Sequence, residues 1–191
     1  MSDIDESGDG TAEGTTDERA ATFERLRPRL FGIAYRMLGA VEDAEDVVQE
    51  SWLRWHDAGA AARNAQAWLV SVTTRLAIDR LRRAETERAA YVGSWLPEPL
   101  ATAPAPPQPD RRAELASDLS MAFLVLLERL APEERAAFLL REVFGADYAE
   151  IARVLERSEA ACRQMVHRAR ERVRDARRRV ADSVPPPGER E

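Results

Sequence analysis

The 191-residue sequence contains no lysine, so all 28 of its basic residues are arginines, and it has only two histidines and one cysteine, Cys162. A single cysteine excludes an internal disulfide framework and a cysteine-rich zinc site. No apolar run approaches the roughly 20 residues of a membrane span, and the N-terminus lacks the basic start and apolar stretch of a secretory signal. We therefore expect a cytoplasmic protein that does not bind membranes.

The net charge of −6 arises in the first 20 residues, where seven acids face one arginine. In the remaining sequence 27 arginines balance 27 acids. This balance excludes a uniformly basic nucleic-acid coat but allows charges of opposite sign on different faces. Residues 1–18 offer almost nothing to bury and are predicted to be a disordered acidic tail.

After the acidic tail, a second boundary in the chain is marked by proline, because six of the eleven prolines fall between Gly93 and Pro109. Proline fixes φ and lacks an amide proton, so neither a helix nor a central strand fits this stretch. We predict a domain at residues 19–92, a proline-rich linker at 93–111, a second domain at 112–182 and a disordered tail at 183–191.

Both predicted domains show helical periodicity and no strand alternation, so an all-α fold of two small helical domains is expected. In the first domain, apolar residues at steps of three and four predict a helix that stops at Gly39. The same pattern predicts a second helix around Ala44–Trp55 and a third from about Ala65 to Ala90. In the second domain, Pro132 is expected at the first position of a short helix that ends at Gly145.

The strongest local signal is a helix-turn-helix at Tyr148–Arg174, made of a short helix, a turn at Glu156–Ser158 and a long last helix. Ser158 is the expected N-cap of the last helix. Four residues of that helix, spaced four, three and four apart, predict a stripe that packs on the preceding helix. They are Cys162, Val166, Ala169 and Val173.

The opposite face of the last helix is polar and basic, since residues 157–180 hold nine arginines and three acids. This face carries Ala160, Arg163, Gln164, His167, Glu171 and Arg174. Because arginine can pair with guanine and glutamine with adenine, it fits the major groove of DNA. The alternative is a solvated amphipathic helix that ends a bundle.

Two helices of the first domain carry opposite charge. Residues 41–57 have a net charge of −5, and residues 63–88 a net charge of +3. An acidic face favours a basic protein partner and repels DNA phosphates, and a basic face does the reverse. Ordinary solvated faces would show the same charges, and that alternative stays open.

Three segments resemble extracytoplasmic-function sigma factors of bacterial RNA polymerase, a group of the sigma-70 superfamily. The sequence DAEDVVQESWL at 43–53 is similar to their core-polymerase-binding helix. The sequences AWL at 67–69 and DRLRR at 79–83 resemble their −10 region. The sequences YAEIA at 148–152, SEA at 158–160 and HRAR at 167–170 resemble their −35-binding helix-turn-helix.

A finer resemblance is to the sigma J-like subgroup, through YVGSWLPEP at 91–99, ACRQ at 161–164 and Arg75. Members of that subgroup normally carry a further C-terminal domain that resembles the SnoaL fold and has a regulatory role. Since the sequence stops at Glu191, we expect a truncation or a member that has lost this domain.

The resemblance implies a sigma-2 domain, a sigma-4 domain and a protein that directs promoter-specific transcription initiation without catalysing a reaction. Contacts with core polymerase, at the β′ clamp helices, are expected from Asp43, Asp46, Gln49, Glu50 and Trp52. Contacts with the −10 element are expected from Arg63, Asn64, Arg75, Arg80, Arg82 and Arg83. Contacts with the −35 element are expected from Arg157, Glu159, Ala160, Arg163, Gln164, His167, Arg168, Arg170 and Arg174. Among them, base edges are expected to be contacted by Arg163, Gln164 and His167, and phosphates by Arg157, Arg168, Arg170 and Arg174.

The implied partners are core polymerase, through the β′ clamp helices and the β flap, and promoter DNA, with an anti-sigma protein as a further candidate. No cofactor, metal or small-molecule substrate is expected.

Three residues have open alternatives. Arg80 could pair with a local acid instead of a phosphate, Trp68 could be core instead of a stacking platform, and Trp95 could attach the linker to a domain.

Two other classes of protein compete with this interpretation. An enzyme is disfavoured because neither His56 nor His167 has a cysteine partner nearby, and no phosphate loop, nucleophile elbow or metal-spaced cluster occurs. Cys162 falls on the predicted buried stripe, which favours a core residue over a nucleophile. A stand-alone helix-turn-helix regulator is the main alternative, but it would leave the acidic face at 41–57 unexplained.

Overall fold

The computed structural model describes residues 10–57, 64–90 and 123–183. These residues form helices and connecting turns, with no β-strand among them, which confirms the predicted all-α fold. The helices are α1 (Gly10–Leu38), α2 (Val41–Asp57), α3 (Ala65–Ala90), a short α4 (residues 123–127), α5 (Pro132–Glu142), α6 (Tyr148–Leu155) and α7 (Glu159–Ser183).

Most helix ends lie where the sequence predicts them, because local chemistry sets them. Gly39 has a φ of +82°, a left-handed conformation that glycine adopts without steric cost, and α1 ends just before it. A capping box opens α6: Asp147 Oδ1 accepts from the amide of Glu150 at 2.7 Å, and Glu150 Oε2 accepts from the amide of Asp147 at 3.0 Å. Ser158 Oγ accepts from the amide of Ala161 at 3.2 Å, which confirms the predicted N-cap of α7.

The first helix extends into the predicted acidic tail, because α1 begins at Gly10, within residues 1–18. Once Phe23 and the rest of α1 are fixed by packing, each further residue adds a backbone hydrogen bond without the cost of a new helix nucleus. Arg19 Nη1 also donates to the carbonyl oxygen of His56, at 3.4 Å. Residues 1–9 and the predicted linker at 93–111 lie outside the described residues.

Helices α1, α2 and α3 pack together as what we call the N-terminal bundle. Leu30, Met37 and Leu69 are fully buried in its core. The hydroxyls of Ser51 on α2 and Thr73 on α3 are also fully buried and lie 2.9 Å apart, within hydrogen-bond distance. The acidic helix α2 and the basic helix α3 are therefore held in direct contact.

Helices α4 to α7 form what we call the C-terminal bundle. The predicted stripe on α7 is confirmed: Cys162, Val166 and Ala169 are fully buried, and Val173 packs against the core from a partly buried position. Ile151 of α6 is also fully buried. The buried stripe fixes the rotation of α7 about its axis and therefore decides which side chains face outward.

The burial of Cys162 leads to a direct chemical test. Burial disfavours the thiolate and raises the pKa of the Cys162 thiol. Because the thiolate is the reactive species, we expect no alkylation of the folded chain by iodoacetamide at pH 7.5 and complete alkylation in denaturant, as measured by mass spectrometry. Rapid alkylation of the folded chain would show that α7 presents its other face to the bundle.

The two bundles also pack against each other, which the sequence did not predict. Helix α3 contacts both α5 and α6, and α1 contacts α5. Leu140 of α5 is almost fully buried, and it lines a cavity of about 80 Å³ together with Val70 of α3. The buried side chains of both bundles form one continuous cluster.

Candidate polymerase and nucleic-acid interfaces

A groove of about 290 Å³ separates α1 from α2 on the acidic side of the N-terminal bundle. Two of the predicted polymerase contacts, Gln49 and Trp52, line it. Its apolar surface includes Phe23, whose ring centroid lies 5.0 Å from that of Trp52. A groove with an apolar floor and charged rims can accept the side of a partner helix.

Two other predicted polymerase contacts, Asp43 and Asp46, hold the guanidinium of Arg80 between them. Arg80 Nη2 lies 2.5 Å from Asp43 Oδ1 and 3.0 Å from Asp46 Oδ2. Partial burial of the guanidinium opposes its charge, but the Asp46 hydrogen bond and the Asp43 charge outweigh that effect and raise the pKa of Arg80. The structure thus gives Arg80 the local acidic partners that the sequence left open as an alternative to a phosphate.

The fifth predicted polymerase contact, Glu50, lies on the exposed side of α2. It forms an i,i+4 pair with Arg54, with 2.6 Å between Glu50 Oε1 and Arg54 Nη2. Both side chains are about half exposed, so this pair is screened by solvent and adds little to stability. Glu50 can therefore leave Arg54 and pair with a basic group on a partner at a low cost in free energy.

A second groove, of about 320 Å³, lies at the start of α3. Two predicted −10 contacts, Asn64 and Arg75, line it together with Trp68. Asn64 Oδ1 also accepts from the amide of Ala67 at 3.0 Å and so caps α3. Trp68 packs partly into the core, 5.4 Å from the ring of Trp55, and also faces the groove, so it combines the two alternatives that the sequence offered.

The remaining predicted −10 contacts differ in their surroundings. Arg83 is exposed on α3, whereas Arg82 pairs with Asp79 at 3.8 Å and with Glu133 of the C-terminal bundle. Arg63 lies outside the described residues. Of these arginines, Arg75 lines the groove and also contacts the C-terminal bundle.

The outward face of α7 presents the predicted base-reading residues Arg163, Gln164 and His167, all exposed. Arg163 Nη2 lies 2.6 Å from Glu159 Oε2, and its guanidinium stacks over the ring of Tyr148 at 5.0 Å from the centroid. These two contacts hold Arg163 along the start of α7, on its outward side. Glu159 and Ala160 are exposed beside it.

Two predicted −35 phosphate contacts are paired with acids of α5. Arg168 Nε lies 3.2 Å from Glu134 Oε1, and Arg170 Nη2 lies 2.6 Å from Glu142 Oε1. The hydrogen bond that Arg170 donates to the Glu142 carboxylate raises the pKa of Arg170. Glu134 is also paired with Arg172 and is only 8% exposed, so these contacts attach α7 to α5.

The other two predicted phosphate contacts are also exposed: Arg157 lies in the turn before α7, and Arg174 lies in the middle of α7. In sequence they stand on either side of the predicted base-reading residues. A recognition helix that binds duplex DNA likewise presents polar side chains between cations that can reach phosphates.

Sequence reasoning missed residues whose role depends on tertiary packing. Tyr148 supports Arg163 from a different helix and also stacks with Arg141, at 4.7 Å from its centroid. Arg29 and Phe144 meet at the junction of the bundles although 115 positions separate them. No periodicity or motif links such distant positions, so the sequence carries no signal for these contacts.

The described residues contain no group of three or more histidine, cysteine, aspartate or glutamate side chains that could hold a metal ion. Among the same residues, no helix is long and apolar enough to cross a membrane.

Two family profiles match the chain, in the order of its two bundles. Sigma-70 region 2 matches residues 22–87, and sigma-70 region 4 matches residues 120–173. The first match falls on the N-terminal bundle and the second on the C-terminal bundle, including the helix-turn-helix.

Named relatives agree with these profiles. The ECF RNA polymerase sigma factor SigJ of Mycobacterium tuberculosis is 46% identical over 151 residues, which cover 79% of this chain and 48% of SigJ. The crystal structure of SigJ superimposes with a TM-score of 0.55 at 40% identity and covers 81% of this chain and 52% of that one. The chain thus spans about half the length of this relative.

A further solved structure shows the same fold at low identity. It is the sigma factor RpoE from Bartonella quintana, solved in complex with the anti-sigma factor NepR. Its TM-score is 0.62 at 21% identity, and the match covers 84% of this chain and 97% of that one.

Proposed function

Because the chain belongs to the sigma-70 family, in its ECF group, we propose that it directs core RNA polymerase to promoters by recognising their −35 and −10 elements. The RNA-forming chemistry belongs to the polymerase, and this chain contributes binding specificity. Since polymerase and promoter DNA meet in the cytoplasm, we place its action there. One observation carries the proposal: the same chain presents an acidic face on α2, suited to docking, and an outward-facing basic helix, α7, suited to recognising DNA.

The acidic side of α2 is the proposed polymerase-docking surface. Gln49 and Trp52 line the groove against α1, and Glu50 lies on the exposed side of the same helix. A basic partner helix, such as one of the β′ clamp helices, would complement this charge and fill the apolar groove. The C-terminal bundle would make the second polymerase contact, at the β flap.

The −10 element is assigned to the groove at the start of α3. Once the duplex opens, a base can leave the stack and lie against Trp68 and Asn64, while Arg75 and Arg83 neutralise phosphates. Arg82 is assigned to the same strand. Arg80 is the weakest member of this set, because Asp43 and Asp46 already bind it.

The −35 element is assigned to the outward face of α7. Arg163, Gln164 and His167 would reach base edges in the major groove, and Arg157 and Arg174 would bind the phosphates on either side. Arg168 and Arg170 would reach phosphates only by giving up or sharing Glu134 and Glu142.

A gel-shift experiment with and without core polymerase tests the proposal. The chain should shift a promoter fragment specifically only when core polymerase is present. A specific shift by the chain alone, at the same concentration, would instead indicate a stand-alone helix-turn-helix regulator. The family match to both region 2 and region 4 disfavours that alternative, since a stand-alone regulator needs no polymerase-docking bundle.

Two finer assignments belong to the same proposal. An anti-sigma protein is a candidate partner, because the RpoE structure contains one. Promoter recognition of this kind requires no small-molecule substrate, cofactor or metal.

A further inference from the structure

Tyr148 lies where three helices of the C-terminal bundle meet. It is the first residue of α6, and its ring is contacted by one arginine from α5 and by another from α7. The guanidinium carbon of Arg141 lies 4.7 Å from the ring centroid, and that of Arg163 lies 5.0 Å from it. Both distances are within the roughly 6 Å at which the face of an aromatic ring attracts a cation. Tyr148 therefore links the predicted base-reading residue Arg163 to the two preceding helices.

The ring of Tyr148 has a defined position because the start of α6 has defined chemistry. The capping box of Asp147 and Glu150 fixes the backbone on both sides of Tyr148. Tyr148 is also partly buried and packs against the hydrophobic core. Arg141 Nη1 donates to the carbonyl oxygen of Ala146 at 2.9 Å, which attaches the last turn of α5 to the turn before α6. The ring thus offers a rigid surface against which a long side chain can be ordered.

Arg163 benefits from such a surface because its own helix holds it only weakly. Its pair with Glu159 is an i,i+4 contact between two side chains that are each about half exposed, and solvent screens pairs of this kind. An arginine side chain has many rotamers, and binding to one base edge restricts it to one of them. A contact with a rigid ring removes part of this freedom before DNA arrives, so less conformational entropy is lost on binding.

An aromatic ring is also a suitable partner for a side chain that must contact DNA. It attracts the guanidinium without carrying a negative charge, so it does not repel phosphates as a carboxylate does. It also leaves N–H groups of the guanidinium available for the two hydrogen bonds by which arginine recognises O6 and N7 of guanine. Glu159, by contrast, accepts a hydrogen bond from Arg163 Nη2 and competes with the base for that donor.

We propose that Tyr148 is a positioning residue for −35 recognition, whose ring holds the guanidinium of Arg163 in the orientation that reads one base pair. The ligand on which this pair of residues acts is the major-groove edge of a G·C base pair, because guanine is the base that offers arginine two acceptors side by side. This inference rests on the proposed function, since it assumes that Arg163 contacts a base edge of the −35 element.

The test compares Tyr148→Leu with Tyr148→Phe in the reconstituted holoenzyme. Leucine removes the ring but keeps an apolar side chain for the core, whereas phenylalanine keeps the ring and removes only the hydroxyl. The measured quantity is the ratio of the affinities for two promoters that differ only at the −35 base pair whose preference depends on Arg163. We expect Tyr148→Leu to lower this ratio about three- to tenfold, because Arg163 loses its preorganisation. Tyr148→Phe should leave the ratio unchanged.

A double-variant cycle shows whether Tyr148 acts through Arg163. In the background of Arg163→Ala, the substitution Tyr148→Leu should not change the affinity ratio any further, because the side chain that the ring orients is absent. A further fall of the ratio in this background would overturn the inference, since Tyr148 would then act on specificity by another route.

Phe138→Leu is the matched control for a merely structural effect. It also replaces an aromatic residue of the C-terminal bundle by leucine, at a position of α5 that is only 7% exposed. It should lower the thermal stability of the chain and leave the affinity ratio unchanged. An equal fall of the ratio in Phe138→Leu and Tyr148→Leu would show a general effect of loosened packing and would overturn the inference.

Two results with the Tyr148 variants would also overturn it. One is a full affinity ratio in Tyr148→Leu, and the other is an equal loss in Tyr148→Phe, which would make the hydroxyl and not the ring the active group. Circular dichroism checks that Tyr148→Leu folds. Tyr148→Met takes its place if it does not, because the flexible thioether side chain fills irregular gaps.

The same titrations separate the inference from the function on which it rests. If the unsubstituted holoenzyme shows no preference at any −35 base pair, the proposed function fails and the inference fails with it. If Arg163→Ala removes a preference that Tyr148→Leu keeps, only the inference fails. If Arg163→Ala leaves every −35 preference intact, Arg163 reads no base, and the inference fails while promoter recognition stands.

Discussion

The double charge reversal Asp46→Arg/Glu50→Arg is expected to abolish co-purification of the chain with core polymerase. Both side chains are more than half exposed on α2, and they supply negative charge beside the proposed docking groove. Two arginines placed against a basic partner surface weaken the binding free energy by several kcal/mol, because like charges repel. A loss of about 3 kcal/mol of binding free energy already lowers the affinity roughly a hundredfold. A pull-down with immobilised core polymerase measures the effect.

The control must change net charge equally without touching the docking face. Glu85→Arg/Glu87→Arg does so on exposed positions of α3. Circular dichroism should show the same helix content for both double variants, because exposed ion pairs contribute little to stability. If the two variants bind core equally well, the docking surface is not on α2.

The substitution Arg163→Ala is expected to weaken binding of the holoenzyme to its preferred promoter by about 1–3 kcal/mol, or roughly 5- to 150-fold. The physical reason is the loss of one bidentate contact with a base edge, so the loss should disappear on a promoter mutated at that base pair. The preference at a single −35 position should therefore relax. Binding titrations over every base pair of the −35 element measure this.

Arg157→Ala is the matched control, since Arg157 is an exposed arginine of the same helix-turn-helix that we assign to a phosphate. Its removal should weaken binding to all sequences by a similar factor and reduce the dependence on salt concentration. If Arg163→Ala behaves in this uniform way, Arg163 is a phosphate contact and not a base-reading residue.

The fold could be predicted where local chemistry determines it. The buried stripe of Cys162, Val166 and Ala169 follows from their spacing along one helix, and the ends of α1 and α6 follow from Gly39 and from the capping box at Asp147. The sequence analysis did not predict the helical segment that begins at Gly10. Composition indicates how much apolar surface a segment can bury, whereas the extension of a helix depends on the stability of the adjoining turns.

The candidate site was predicted as a set of residue types but not as a set of pairs. Charge and motif selected Asp46, Arg80 and Arg75 as candidate contact residues, and each of them forms an ion pair in the structure. Their actual partners depend on how α2, α3 and α6 pack. Such long-range contacts produce no periodic pattern in the sequence from which they could be predicted. For the same reason, the packing of the bundles against each other became visible only in three dimensions.

Promoter-specific initiation by this chain can be measured by run-off transcription from a library of promoters with varied −35 and −10 elements, using holoenzyme reconstituted from core polymerase and this chain. We expect transcripts that require the chain and depend jointly on both elements, with the dependence on −35 sequence altered by Arg163→Ala. Transcripts that ignore one of the two elements, or that form equally well without the chain, would contradict this expectation.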